Sequence, residues 1–423
     1  MTKNISIPYD KHSIEISLRE RNIAYLSDRF NPSSQRNVSW KPDTKLRILA
    51  ERKNILILLA DSTRDIPFHL ILDHFFSSLS SAPKSVRLCL ATGTHDGDNE
   101  ENQAILRYSH TSAKHNNTPL TGCYIHNCYT STVFYAGTTS RGNDIYVNQI
   151  INDCDLILIH ADMKNHYFAG YSNPIKYIIP GICAFKTIEY NHSLALDGHS
   201  TFGHHPLHPD KNRRKNPVAE DMWEGFQIIT KNIPAYVLLT LSMNQNIVWK
   251  RQGLLADVLP EGIQKVDEKM GLMLKPSKRL IVSCGGYPND ESLYIAQRAL
   301  ELTKNALVDG GEILFIAGCR NGIGPVKSLD NFYYPLKGHV PELIKRYAKN
   351  YKMYTHKVYK FAQLINRTNR IYLYSLLSDQ QISEIHLIPV NNVQILVNNW
   401  IEEDTTCKIN IFLDGNKTAV YPY

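Results

Sequence analysis

The sequence has little of what would mark it for a membrane, a secretory route or a nucleic acid. No continuous apolar run is long enough to span a bilayer. The first residues, MTKNISIPYDKHSIEISL, alternate polar and apolar side chains and lack the apolar segment and small-residue cleavage site of a signal peptide. A cytoplasmic location with no membrane partner is therefore expected. Eight cysteines, at positions 89, 123, 128, 154, 183, 284, 319 and 407, include no CxxC pair, which points to reduced, mostly buried thiols rather than a disulfide framework. The formal charge of +7 is small for 423 residues, and its densest run, Lys211 to Lys215, carries no aromatics, so no nucleic-acid partner is expected. Tandem repeats and low-complexity segments are missing as well. No complete G-x-G-x-x-G follows a strand, which leaves a bound NAD(P) unsupported.

What is present is an ordinary globular composition, 43% hydrophobic and 21% charged, in a chain long enough for two cores. Alternation around PYDKH predicts an N-terminal hairpin. NILILLA (54–60) is a buried strand that ends in the polar DSTRD before a helical FHLILDHFFSSL. The pattern returns in SVRLCLA, then ATGTH and a helix, and in DCDLILIHA, then DMKNHYFAGYS. AYVLLTLSMNQNIVWK reads as two antiparallel strands, and a helix follows to a boundary near residues 275–278. Beyond it RLIVSCGGYPND, GGEILFIAGCRNGIG and NRIYLYSLL restart the same grammar, and CKINIFLDGNKTAVYPY carries Asp-Gly as a hairpin signal.

Repeated strand, loop and helix predict an α/β protein: two α/β domains with mainly parallel sheets around an interdomain crevice, with terminal β-hairpins. The expected division is residues 1–270, joined by the closing hairpin 406–423, and residues 276–400.

Ligands of open parallel sheets bind beyond the carboxyl ends of the strands, and polar residues gather there. After the first strand come Asp61 and Arg64, after the second His95, and after the third His160, His166 and Lys176, with His192 further on. Each has a plain structural explanation alone; a structural role does not require all of them on one edge. Imidazoles on opposite sides of a substrate can serve both faces, His192 can offer a neutral nitrogen to nickel, copper or zinc, and a lysine among apolar residues can form a covalent link. HSTFGHHPLHP (199–209) reads as a mobile loop rather than a metal site. Cys123, His126 and Cys128 lack the second ligand pair of a zinc site.

The blocks DSTR (61–64), ATGTH (91–95), HYFAGYSNPIKYIIPG (166–181), KTIEYNH (186–192) and SCGGYPNDESLYIAQRAL (283–300) together resemble the lactate racemase family, the nickel-pincer nucleotide enzymes. The resemblance runs from IPYDKHSIEISL to the closing segment, with the block order kept. It implies a racemase or epimerase that inverts C2 of a 2-hydroxy acid through a 2-keto acid. Lys176 would be the covalent tether of the nickel-pincer nucleotide, His192 the nickel ligand, His95 and His166 the acid/base pair, and Asp61 and Arg64 cofactor-organising groups. The residues 1–270 would then form the cofactor-binding domain, and cofactor-biosynthesis enzymes would load the protein.

Departures from the family pattern concern the substrate, whose neighbours would be Tyr294, Ile295, Arg298 and His356. Ile295 and Arg298 stand where lactate racemases have glutamine and lysine, and His356 where they have a tryptophan. Arginine keeps the charge and offers a bidentate fork, and the imidazole replaces an apolar wall by a polar one. A substrate larger or more polar than lactate, an aldonate or a hydroxy-diacid, is expected. SNPIK in place of SGGxK and Asp65 in place of proline are further departures. A non-catalytic sensor of a nucleotide or hydroxy acid, and an NAD- or metal-dependent enzyme on the same scaffold, are the other readings; the sequence leaves the oligomeric state open.

Overall fold

The computed structural model describes residues 1–27, 40–64, 66–243 and 246–423. The chain separates into two compact units, Pro32–Val266 and a second made of Met1–Asn31 with Asp267–Tyr423.

In the Pro32–Val266 unit the strand Asn54–Leu59 lies inside a six-stranded sheet, and every residue from Ile55 to Leu59 is buried. Such a run, apolar on both faces, requires cover on both sides. The sheet order is Asn246–Leu254, Ala235–Met243, Leu156–Asp162, Asn54–Leu59, Ser85–Leu90, Leu120–Ile125. Only the pairing of Ala235–Met243 with Asn246–Leu254 is antiparallel, as the sequence predicts; the other four are parallel. The helix Phe68–Leu79 packs Ile71, Leu72, Phe75 and Phe76 against Ile57, Leu88 and Leu90. The helix Glu100–His115 begins where the Asn99 side chain accepts from the Asn102 N–H at 2.8 Å. The chain starts at Asn54–Leu59, builds one way through Ser85–Leu90 and Leu120–Ile125, then returns to the other side with Leu156–Asp162. The topological switch lies between Asn54–Leu59 and Leu156–Asp162, where a ligand crevice is expected in such sheets.

The second unit has its own six-stranded sheet, ordered Ile388–Pro389, Arg370–Tyr374, Leu307–Ile316, Ser277–Ser283, Ile409–Phe412, Ile23–Leu26, parallel throughout. The helices Leu293–Thr303 and Thr355–Arg367 cover one face through Leu293, Ala296, Leu300, Val358 and Phe361. The predicted N-terminal hairpin forms from Thr2–Tyr9 and His12–Arg19, and its Ile5, Ile7, Ile16 and Leu18 pack with Trp400, Ile281 and Leu314 on the other face.

The ends of the chain differ from expectation. Neither terminal segment joins the Pro32–Val266 unit: Ile23–Leu26 and Ile409–Phe412 are strands of the second sheet. The closing segment is not a hairpin, since Ile409–Phe412 pairs in parallel with Ser277–Ser283, and Ala419–Val420 pairs in parallel with Gly271–Leu272. The cause lies in INIF, whose four residues are all buried. A strand buried on both faces needs partners on both edges, which a two-stranded ribbon cannot supply.

Candidate active site

Strand Asn54–Leu59 delivers Asp61 at its carboxyl end, almost fully buried. The Thr63 hydroxyl and its N–H both donate to Oδ1, and Oδ2 lies 2.8 Å from His95 Nδ1. Burial works against ionisation of Asp61, but the hydrogen bond and charge of His95, with Thr63 and Arg64, outweigh it and hold the carboxyl below its ordinary range. Arg64 is itself exposed. Its charge also acts on the Tyr177 phenol, together with those of Asp162 and Asp61. Asp65 lies outside the described residues.

The loop after Ser85–Leu90 carries His95, whose side chain is 43% exposed and so can meet a ligand. Gly93 adopts a left-handed φ of +58°, and its N–H donates to Gly181 O at 3.0 Å. This bond fastens the His95 loop to the loop that bears Lys176.

The stretch after Leu156–Asp162 is folded by a small hairpin, Lys164–His166 with Gly170–Ser172. A turn at Pro174–Tyr177 follows, capped by Asn173, whose Oδ1 accepts from the Ile175 N–H at 2.9 Å. Proline at the first position of this turn replaces glycine freedom by a preset φ. His166 accepts from the Ala169 N–H at Nδ1 (3.2 Å) and faces Lys176 Nζ with Nε2 at 3.4 Å. Lys176 Nζ lies 5.8 Å from the Phe168 ring centroid, and the same ring meets His192 edge-on at 5.2 Å. Aromatic packing thus fixes the lysine between two imidazoles. His192 lies in the last turn of the helix Phe185–Ser193. Burial and then the Lys176 charge push its pKa down to about 3, against a hydrogen bond to the Ile188 backbone, so the ring is neutral near pH 7. A neutral imidazole is a metal donor, and Lys176 beside it offers an amine for covalent attachment.

The 199–209 loop is tied down rather than mobile. Arg213 Nε donates to Gly203 O at 2.8 Å, and Asn216 Nδ2 donates to both Phe168 O and Thr201 O at 2.9 Å. The loop passes so close that a Cβ on Gly170, at φ +75°, would stand 1.8 Å from His204 O. The polar composition that suggested mobility instead supplies hydrogen bonds that hold the loop on the His166 hairpin.

Two other expectations resolve as structure. His160 is fully buried inside its strand with Nε2 3.0 Å from Thr240 Oγ1, so it stands apart from the crevice residues. His126 is buried between Cys183 O (2.9 Å) and Asn148 Nδ2 (3.0 Å), and burial pushes its pKa down to about 4. Among the described residues no group of three or more His, Cys, Asp or Glu is arranged to hold a metal ion.

In the second unit Tyr294, Ile295 and Arg298 occupy the first two turns of the helix Leu293–Thr303. His356 is buried in the first turn of the helix Thr355–Arg367, its Nδ1 3.1 Å from the Tyr351 hydroxyl and its ring stacked on that phenol. Sequence reasoning missed its neighbour Lys357, a buried lysine whose Nζ donates to Tyr294 O at 2.6 Å and sits 3.6 Å from the Tyr294 ring centroid. The signal was there: Lys357, Lys360, Phe361 and Leu364 follow helical spacing, which puts lysines on a buried stripe. Tyr177 was missed because it reads as one more apolar neighbour of Lys176.

No described helix is long and apolar enough to cross a membrane. Family models for the lactate racemase N-terminal domain and the lactate racemase C-terminal domain match residues 9–203 and 272–417. Curated relatives include the lactate racemase of Lactiplantibacillus plantarum, 26% identical over 347 residues that span 78% of each chain. The lactate racemase of Thermoanaerobacterium thermosaccharolyticum is also 26% identical, over 76% of each chain. The apoprotein structure of the Thermoanaerobacterium enzyme superposes with a TM-score of 0.82 at 22% identity, covering 99% of this chain and 100% of that one. A Thermotoga maritima protein follows with a TM-score of 0.63 at 15% identity, over 90% and 96%. With matched domains in both units and the same fold over its whole length, the chain belongs to the lactate racemase family and is an isomerase of the racemase class.

Proposed function

We propose that this racemase inverts C2 of a 2-hydroxy acid larger or more polar than lactate, with a nickel-pincer nucleotide covalently held by Lys176 and with His192 on the nickel. The observation that carries this reading is the Lys176 amine set beside His166 and a neutral His192. The residues fit the group: one protein imidazole suffices if the remaining donors belong to the nucleotide, consistent with the lack of a larger ligand cluster among the described residues. When bound, the group supplies a reversible hydride acceptor for the hydrogen on C2.

The protein's share is proton transfer, orientation and charge. Asp61 engages His95 Nδ1, so the nitrogen left for proton exchange is Nε2. In the neutral ring Nδ1–H points at Asp61 and Nε2 is a base. His166 is held the opposite way round, Nδ1 accepting from the Ala169 N–H and Nε2 facing Lys176 Nζ, so Nε2 is the nitrogen left to exchange a proton. One histidine therefore takes the hydroxyl proton of the substrate and the other stands ready on the opposite face of the planar 2-keto acid. Asp61 and Arg64 organise the surroundings of the nucleotide, and Tyr294, Ile295, Arg298 and His356 recognise the substrate. The enzymes that build the nucleotide deliver it, and the cytoplasm is where the protein works in this reading.

The test is a panel of 2-hydroxy acids, aldonates and hydroxy-diacids included, incubated with cofactor-loaded protein and separated by chiral chromatography. Inversion at C2 of at least one acid beyond lactate is expected. Inversion of lactate alone would remove the substrate reading, and inversion of none would remove the mechanism.

A further inference from the structure

Asp61 and His95 meet only while two loops keep their spacing. The strands Asn54–Leu59 and Ser85–Leu90 are neighbours, and their ladder carries the chain as far as the Ala91 N–H, which donates to Leu59 O at 2.8 Å. Asp61 and His95 both lie beyond it, yet Oδ2 of one is 2.8 Å from Nδ1 of the other. Asn102, fully buried in the first turn of the helix Glu100–His115, connects the two loops directly. Its Oδ1 accepts from the Ser62 N–H at 2.8 Å, and its Nδ2 donates to Gly97 O at 2.9 Å. Ser62 follows Asp61, and Gly97 stands just past His95, so one amide grips both loops beside the groups that must meet. An N–H on one side and a carbonyl on the other call for an acceptor and a donor on one short side chain, which is what an asparagine amide offers. Starting the helix requires no such reach, because Asn99 caps it: Asn99 Oδ1 accepts from the Asn102 N–H at 2.8 Å, and from the Ser62 hydroxyl at 3.2 Å.

Resting on the acid/base reading above, we propose that Asn102 is a positioning residue for the reaction: it sets the spacing of the Asp61 and His95 loops and so keeps His95 Nδ1 on Asp61 and Nε2 free for the substrate. It acts on both groups through Ser62 and Gly97. A loosened clamp costs turnover rather than substrate affinity, since a displacement of about 1 Å at a proton-transferring group is worth on the order of a hundredfold in rate.

The test uses the full-length protein with Asn102→Ala and Asn102→Asp, the second keeping the acceptor for Ser62 and losing the donor to Gly97. In unloaded protein the His95 Nδ1–H gives a low-field proton resonance, identified by its loss in His95→Gln, and the imidazole of His160, bonded to Thr240, is the control. Asn102→Ala shifts or broadens the His95 resonance and leaves that of His160 in place; Asn102→Asp does the same to a smaller extent. In cofactor-loaded protein Asn102→Ala lowers kcat roughly tenfold with KM little changed. In the Asp61→Asn background it costs less than about twofold, because the bond it protects is already gone. A missing His95 resonance in the unmutated protein, an unmoved one in Asn102→Ala, or a loss that multiplies fully with that of Asp61→Asn overturns the proposal. Should Asn102→Ala not fold, the Ser62 amide of the unmutated protein decides: hydrogen exchange as slow as in Asn54–Leu59 supports the clamp, and exchange at the rate of a free loop overturns it. The two readings fail separately. A loaded protein that inverts no 2-hydroxy acid contradicts the racemase mechanism, while the resonance and exchange measurements still judge the clamp.

Discussion

The two units are built on the same plan, a six-stranded sheet that is wholly or mainly parallel, and put different side chains to use. In Pro32–Val266 the polar groups are imidazoles, partnered with Asp61, with backbone N–H groups or with Lys176. In the other unit they are Arg298, on the helix Leu293–Thr303, and Lys357, which reaches from the helix Thr355–Arg367 to the Tyr294 carbonyl. In the proposed reading the first exchanges protons and holds the nucleotide, and the second meets the substrate. The lesson is that a common architecture fixes where polar residues collect, whereas chemistry depends on which side chains the loops and first helical turns carry.

The sharpest way to break this division is at Asp61. Asp61→Asn keeps the shape but leaves the tautomer of His95 unspecified, and turnover should fall on the order of a hundredfold or more, with nickel content and protein mass unchanged. Unchanged turnover would take Asp61 out of the site; a loss of cofactor together with activity would show that its part in organising the nucleotide's surroundings outweighs its hold on His95. Arg298→Ala should cost less, roughly tenfold to a hundredfold in kcat/KM, and leave loading intact; unchanged kinetics would take Arg298 out of the substrate site.

The smallest effect separates the units by pH. Burial pushes His126 and His160 down to about 4, and His192 and His205 to about 3, from an ordinary 6.5. Between those values the unfolded chain binds protons that the folded one does not. This contribution to the unit's stability is therefore complete above about pH 6.5 and is lost as the pH falls towards 4, by on the order of 3 kcal/mol for each of these histidines. Lys357, ordinarily near 10.5 and here about 7, acts in the alkaline range: the other unit gains stability as the pH rises from 7 towards 10.5. Hydrogen exchange resolved by segment across pH 4 to 10 should show the two units responding in these separate windows. A single common profile would contradict the contrast.

Much of this was legible in the sequence because it is local. The apolar runs 54–60 and 156–161 are strands whichever partners they find, and the spacing of His166, Lys176 and His192 survives because hairpin, turn and helix follow one another without interruption. Placement of the chain ends was not legible. Ile409–Phe412 finds its partners at Ser277–Ser283 and Ile23–Leu26, more than a hundred residues away, and the nearby Asp414–Gly415 misleads by imitating a hairpin turn. His160 misleads in a similar way: at a strand end a histidine can point outward or be absorbed, and only Thr240 on the neighbouring strand decides. Lys357 was hidden because a lysine in a helix is usually solvated, and its burial depends on the Leu293–Thr303 helix, some sixty residues earlier.

The central claim, that Lys176 carries a covalent nickel-pincer nucleotide, is tested most directly by the intact mass and nickel content of protein co-expressed with the enzymes that make the nucleotide. The account predicts an adduct that maps to Lys176, accompanied by nickel, and absent from Lys176→Ala. An unmodified, nickel-free protein under those conditions, or an adduct that persists in Lys176→Ala, would contradict it.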